Sequence, residues 1–436
     1  MFDFKWNPYA DQPHNVALRS ERRLFLLRHA GSYVRQICSN LRKAVPVLSL
    51  YRTYRKKMYD SSVSLGESFG LSVSPEVGRF EEIAGLLKEA GIGQTLFRMP
   101  SWERERMAFF EDFARFLKNE GINIGVALLQ QRRDVLDPSH WKNFLDETFS
   151  RLRDIVSFFE VGHAWNRTKW GVWTHDEYIE LAETAVTLAG RYGVRTAGPA
   201  VIDFEFHLYP PVLNAVSFDV ISSLLYVDRV GAPENSQFGW DISRKLALLR
   251  AVIDSCLNKK KELWITEVNW PLKGTGRYSP ASGKPNVSEK EQADYLVRYY
   301  ILGLTSGFTQ RIYWWQLTAP GYGLIDSRSG GWRKRPAFEA LKTMSQMLKG
   351  AVFTGRQRRN GVELFFFRKK NSVFCVCWTL KGILEYRFSS SKGRIVDRDG
   401  KERFSSLERL IVTPSPQYVF LPEDDPASFR ISGGEL

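Results

Sequence analysis

The sequence predicts a (β/α)8 barrel followed by a small antiparallel β-domain and preceded by a basic helical segment. Three observations carry this reading. Eight short apolar runs alternate with amphipathic helical stretches between residues 61 and 350, which is the barrel count. The turn after the first run reads Ser72-Val73-Ser74-Pro75-Glu76. It lacks the glycine-rich phosphate loop expected of a doubly wound open sheet. Beyond residue 350 the pattern changes to short apolar or alternating runs separated by polar turns, the mark of antiparallel strands.

The strand-like runs are Ser68–Ser74, Gln94–Met99, Ile122–Leu129, Val156–Gly162, Arg195–Ile202, Phe218–Tyr226, Leu263–Val268 and Arg311–Gln316. Each is rich in Val, Ile, Leu and Phe, as strands buried on both faces are. Helical spacing appears over Arg79–Ala90, Glu103–Asn119, His140–Asp154, Asp176–Tyr192, Ser243–Leu257 and Ser288–Leu304. Gly91, Gly121, Gly193 and Gly307 stand just past periodic runs, where a glycine ends a helix. The expected division is a basic segment at 1–60, a barrel at 61–350, a β-domain at 351–423 and a polar, mobile tail at 424–436. Within the first segment Pro46 is expected to interrupt the helix.

The net charge is +14, and it is uneven. Residues 1–60 hold twelve Lys/Arg against four Asp/Glu, a net +8. The basic character thus belongs mainly to that segment, and a nucleic-acid partner is not expected. A basic amphipathic helix either lies on an anionic membrane surface or packs on a domain with its Arg in water. Cys38, Cys256, Cys375 and Cys377 show no zinc spacing, and no metal or cofactor is implied. They read as cysteines of a reducing compartment. The chain opens without a signal-peptide pattern, so a cytoplasmic location is expected, with peripheral membrane contact through residues 1–60 as an added expectation. Oligomeric state is not legible.

Catalytic groups of a barrel lie at the C-terminal ends of its strands. Those ends carry Arg98; Gln130 and Gln131; Glu160, His163, Trp165 and Asn166; Asp203, Glu205 and His207; Tyr226 and Asp228; Glu267 and Trp270; and Trp314 and Trp315. Carboxylates, amides and indoles dominate. The chain has 13 Trp; core packing accounts for most of them, and sugar stacking is the alternative reading. Paired carboxylates with aromatic rings are the composition of a glycosidase cleft.

At this point the sequence resembles the superfamily of retaining (β/α)8 glycoside hydrolases with catalytic Glu on strands 4 and 7. Trp264-Ile265-Thr266-Glu267 resembles the strand-7 nucleophile motif. Phe97-Arg98 resembles the strand-2 Arg near that nucleophile, and Tyr226 the Tyr that hydrogen-bonds it. Trp315 resembles the stacking Trp of strand 8. Gly321-Tyr-Gly-Leu-Ile-Asp326, Arg335-Pro-Ala-Phe338 and the following β-domain extend the likeness over about 65–422. The resemblance implies a glycosidase or transglycosidase on an oligosaccharide or polysaccharide, with Glu267 as nucleophile or base. It implies Arg98, Glu160, Tyr226 and Trp315 as substrate-binding or supporting residues; by their places after the strands, Trp165, Trp270 and Trp314 are added as stacking candidates and Asn166 as a hydroxyl-binding one.

One departure matters. Where the family has Asn-Glu after strand 4, this chain has His163-Ala164, and alanine moves no proton. Three readings follow. His163, Asp203, Glu205 or Asp228 supplies the acid, His163 if neighbouring carboxylates keep it protonated. Alternatively, the protein is a glycan-binding pseudoenzyme. In the third reading the leaving group needs no acid. Glu267 itself also has a structural reading, as the ion-pair partner of Arg98.

Overall fold

The computed structural model describes residues 4–13, 24–25, 27–228, 230–279, 286–388 and 392–420. Eight parallel strands close a barrel: Phe69–Val73, Gln94–Pro100, Asn123–Leu129, Phe158–Val161, Thr196–Ile202, Val220–Leu224, Leu263–Ile265 and Arg311–Trp314. All eight match the apolar runs of the sequence. Side-chain alternation sets the layers. Leu96 and Phe158 point into the lumen with Trp264 and Tyr313, while Phe97, Phe159 and Ile265 pack outward on the helices. Arg98 and Glu160 each lie two residues further along a strand, so they share the lumen side nearer the mouth. Helices end as expected at glycine: Gly193 caps His175–Tyr192 with φ of 66°.

The β-domain is an antiparallel sheet, and its order holds a surprise. The strand Val63–Leu65, which precedes the barrel in sequence, pairs with Ala351–Phe353 and adds an edge to that sheet. The β-domain therefore draws on chain from both sides of the barrel. Cys375 and Cys377 are buried in it and unpaired. Arg298, almost fully buried, joins the two units. It binds Glu234 at 2.6 and 3.0 Å, and Trp378 of the β-domain donates to the same carboxylate at 2.8 Å.

One expectation about the N-terminal segment is corrected. The helix Ala30–Lys57 runs through Pro46 without a break. Pro46 is solvent-exposed, so the lost backbone bond faces water, and packing of the opposite face holds the helix together. The helix packs on the barrel, one of the two placements expected for it. Tyr54 donates to Asp254 at 2.6 Å, Lys43 to the Ser255 carbonyl at 2.8 Å and Asn40 to the His207 carbonyl at 2.9 Å. Upstream, Trp6–Asn7 pairs with Gln12–Pro13 as a short antiparallel strap. The tail expected at 424–436 lies outside the described residues.

Candidate active site

Arg98 is the hub of the barrel mouth. One guanidinium nitrogen, Nη2, donates to Glu267 Oε2 at 2.6 Å and meets His163 Nε2 at 2.9 Å. The other, Nη1, donates to Asp11 Oδ2 at 2.9 Å. The guanidinium lies 3.6 Å from the centroid of the Trp315 ring, a cation–π contact. The second oxygen of Glu267 accepts from the Tyr226 hydroxyl at 2.6 Å. Both oxygens of Glu267 are thus held, one by a cation and one by a phenol. The side chain is buried to within 7%. Arg98 supplies the countercharge that a buried carboxylate needs.

His163 is placed close to Glu267, at 3.5 Å, but in the wrong state for an acid. Burial first, then the charges of Arg98 and Lys169, hold its imidazole well below the ordinary range. The expectation that carboxylates keep it protonated is corrected: its near neighbours include two cations. Gln130 clamps its backbone, accepting from the His163 amide at 2.9 Å and donating to its carbonyl at 3.1 Å. Ala164 is fully buried. Glu160 sits deeper, with Oε1 unpartnered among the described residues. Burial pushes its carboxyl up to about 7; the hydroxyls of Thr266 and Ser222 act against this, and the charge of Glu267 adds to it.

The remaining candidates divide. Asp203 and Glu205 are both engaged by Arg167, Asp203 at 2.6 Å. Asn166 donates to Glu205 and to the Ile202 carbonyl, each at 3.0 Å. This is a half-exposed cluster of its own. Asp228 braces a loop, accepting from Asn235 at 2.8 Å and the Val230 amide at 3.0 Å. None of these three carboxylates forms a hydrogen bond or ion pair with the Arg98–Glu267 group. Three tryptophans expected in the cleft are core residues instead. Trp165 stacks on Tyr178 at 4.5 Å and donates to the Pro199 carbonyl. Trp270 stacks on Trp314 at 5.8 Å, and both are buried between strands and helices. For Trp314 the physical reason is alternation: Tyr313 points into the lumen, so Trp314 points out.

Two site features escaped the sequence reading. Asp11 belongs to the strap, and burial raises its carboxyl while Arg98 pulls it down. The strap is seated by aromatic contacts. Trp6 lies 5.4 Å from Trp102 and 6.1 Å from Trp170, and Phe4 lies 4.6 Å from Trp102. Trp170 also lies edge-on to His163 at 4.7 Å. Between strap and mouth a cavity of about 130 Å³ remains, bordered by Trp6, Asp11 and Arg98. That is small beside the roughly 300 Å³ or more of a typical ligand pocket. The second feature is Tyr322, nearly fully buried beside Trp315; burial, together with the charge of Asp11, pushes its phenol well above the ordinary range. Among the described residues no group of His, Cys, Asp or Glu could hold a metal ion.

No protein-family model and no curated protein matches the chain. Solved structures do. A family 39 glycoside hydrolase from the gut symbiont Bacteroides cellulosilyticus is 16% identical with a TM-score of 0.63, over 82% of this chain and 81% of that one. A family 30 endoxylanase from Clostridium papyrosolvens is 13% identical with a TM-score of 0.57, over 83% and 98%. A family 51 arabinofuranosidase from Xanthomonas axonopodis pv. citri is 12% identical with a TM-score of 0.56, over 83% and 97%. The fold of this chain is that of the (β/α)8 glycoside hydrolases, barrel and β-domain together.

Proposed function

We propose that the chain acts on a glycosidic bond of a carbohydrate, with Glu267 as the nucleophile. The observation that carries this is the fixing of both Glu267 oxygens, by Arg98 at 2.6 Å and Tyr226 at 2.6 Å. A carboxylate used only to neutralise Arg98 needs no phenol on its far oxygen. In the step proposed, Glu267 forms a bond to the anomeric carbon while the bond to the leaving oxygen breaks. The leaving group takes the electron pair, and water later releases the sugar. Ala164 offers no proton, and a neutral His163 beside two cations is a poor donor. The substrates that fit are glycosides whose leaving group departs as a stable anion. The strap must lift before any of them reaches Glu267. The four cysteines stand free, which supports a reducing, cytoplasmic setting.

The second reading, a glycan-binding pseudoenzyme, is favoured by Ala164 alone. Aryl glycosides of graded leaving-group acidity separate the two. The enzyme reading expects turnover that climbs steeply with leaving-group acidity and falls by several orders of magnitude in Glu267→Gln. Saturable glycan binding with no cleavage of any aryl glycoside would establish the pseudoenzyme. Equal turnover by wild type and Glu267→Gln would make Glu267 structural.

A further inference from the structure

The helix Ala30–Lys57 carries its amphipathicity the wrong way round. Its polar and aromatic side chains face the barrel: Asn40, Lys43 and Tyr54 make the contacts described above. Most of its large aliphatic side chains face solvent, while Val47 packs on the core. Val34, Ile37, Leu41, Val45 and Leu48 are 50–79% exposed, at spacings of three and four residues that line them along one stripe. At 1.5 Å per residue the stripe is about 21 Å long. The inner contacts fix the rotation of the helix, so the stripe cannot turn inward.

Charge selects what can cover it. The helix holds Arg35, Arg42, Lys43, Arg52, Arg55, Lys56 and Lys57, and no Asp or Glu. Arg35 is paired with Asp176 and Lys43 with the Ser255 carbonyl. The other five make no ion pair among the described residues. A second copy of this chain packed stripe to stripe would bring cations against cations. A bilayer with anionic headgroups takes the apolar stripe into its interface and the flanking cations onto its phosphates. No helix among the described residues is long and apolar enough to cross a membrane.

We infer that the outward face of Ala30–Lys57 is a docking face for an anionic phospholipid surface. Ser32 meets His175, the first residue of a helix that starts at the barrel mouth, and Tyr54 meets Asp254 near the far end of another. The helix therefore runs down the barrel wall. Docked by this face, the barrel lies on its side and its mouth opens along the membrane plane.

The test is co-sedimentation of the full chain with phosphatidylcholine vesicles, with and without 30% phosphatidylserine. Binding is expected only with phosphatidylserine and should weaken as salt is raised. One cation near such a surface is worth about fivefold in partition. Reversing two, Arg52→Glu with Lys56→Glu, should therefore lower binding at least twentyfold. Leu41→Glu with Val45→Glu should abolish it. All four sites are solvent-exposed, and a thermal melt verifies that each variant is folded. Absence of wild-type binding to anionic vesicles overturns the inference, as does undiminished binding by both folded double variants. Self-association through the stripe, or capture of an acidic protein without vesicle binding, overturns it equally. None of these results bears on Glu267, so the lipid and glycosidase readings fail separately.

Discussion

Glu160 gives the protein a pH dependence that one substitution should remove. Its carboxyl is almost fully buried at the base of the site, and burial raises it from 4.5 to about 7. In the unfolded chain the group ionises near its ordinary value. Between pH 4.5 and 7 the native state therefore holds a proton that the unfolded state has lost. Stability falls with rising pH across that window, by about 1.4 kcal/mol per unit, and the loss is complete above pH 7. The accumulated cost is about 3 kcal/mol. Glu160→Gln keeps the shape and cannot ionise. In urea unfolding, the difference between variant and wild type should grow from pH 4.5 to 7.5 by about 3 kcal/mol in the variant's favour. Taking the difference cancels the titration of every group that does not interact with Glu160. A difference that stays flat with pH, or grows in the wild type's favour, refutes the assignment of a proton to buried Glu160.

Two further outcomes follow from the same geometry. Tyr226→Phe removes one hydrogen bond to an ionic group, worth about 1.5–3 kcal/mol. It should lower kcat on an activated aryl glycoside about 10- to 100-fold, and a thermal melt verifies that the variant is folded. An unchanged kcat would show that the phenol does not hold the reacting carboxylate. The strap is anchored by Asp11 on Arg98 and by Trp6 on Trp102 and Trp170. The Asp11 anchor alone is worth about 1.5 kcal/mol, so Trp6→Ala with Asp11→Ala should raise kcat/KM for a small glycoside about tenfold. A fall instead would mean that the strap completes the site.

The barrel was legible because strands buried on both faces must be continuously apolar, so each left a run in the sequence. Glu267, Arg98 and Tyr226 were legible because strand ends fix where such residues go, and they do converge on one another. Asp11 was not. It lies 87 residues from Arg98, in a stretch with no periodicity, and nothing local announces a contact across that distance. Charge and pattern in its segment describe a surface but not what lies beneath. The state of His163 was not legible because its neighbours are set by tertiary packing, which buried it and brought the cations Arg98 and Lys169 beside it as well as Glu267. Of the misplaced tryptophans, Trp314 had a usable signal. Residue 313 points inward, which already turns Trp314 away from the cleft. The strand Val63–Leu65 was missed because three residues carry too little pattern to name a partner 290 positions later, as Val63 pairs with Phe353.

The central claim is that Glu267 attacks an anomeric carbon. An aryl 2-deoxy-2-fluoro glycoside slows release of the glycosyl group and preserves the bond that a nucleophile forms. Incubation should add one glycosyl mass to the full chain. Peptide mass spectrometry should place it on the peptide containing Glu267, and Glu267→Gln should take no label. Label on any other carboxylate, or cleavage of the parent aryl glycoside without any trapped adduct across a series of sugars, would contradict the account.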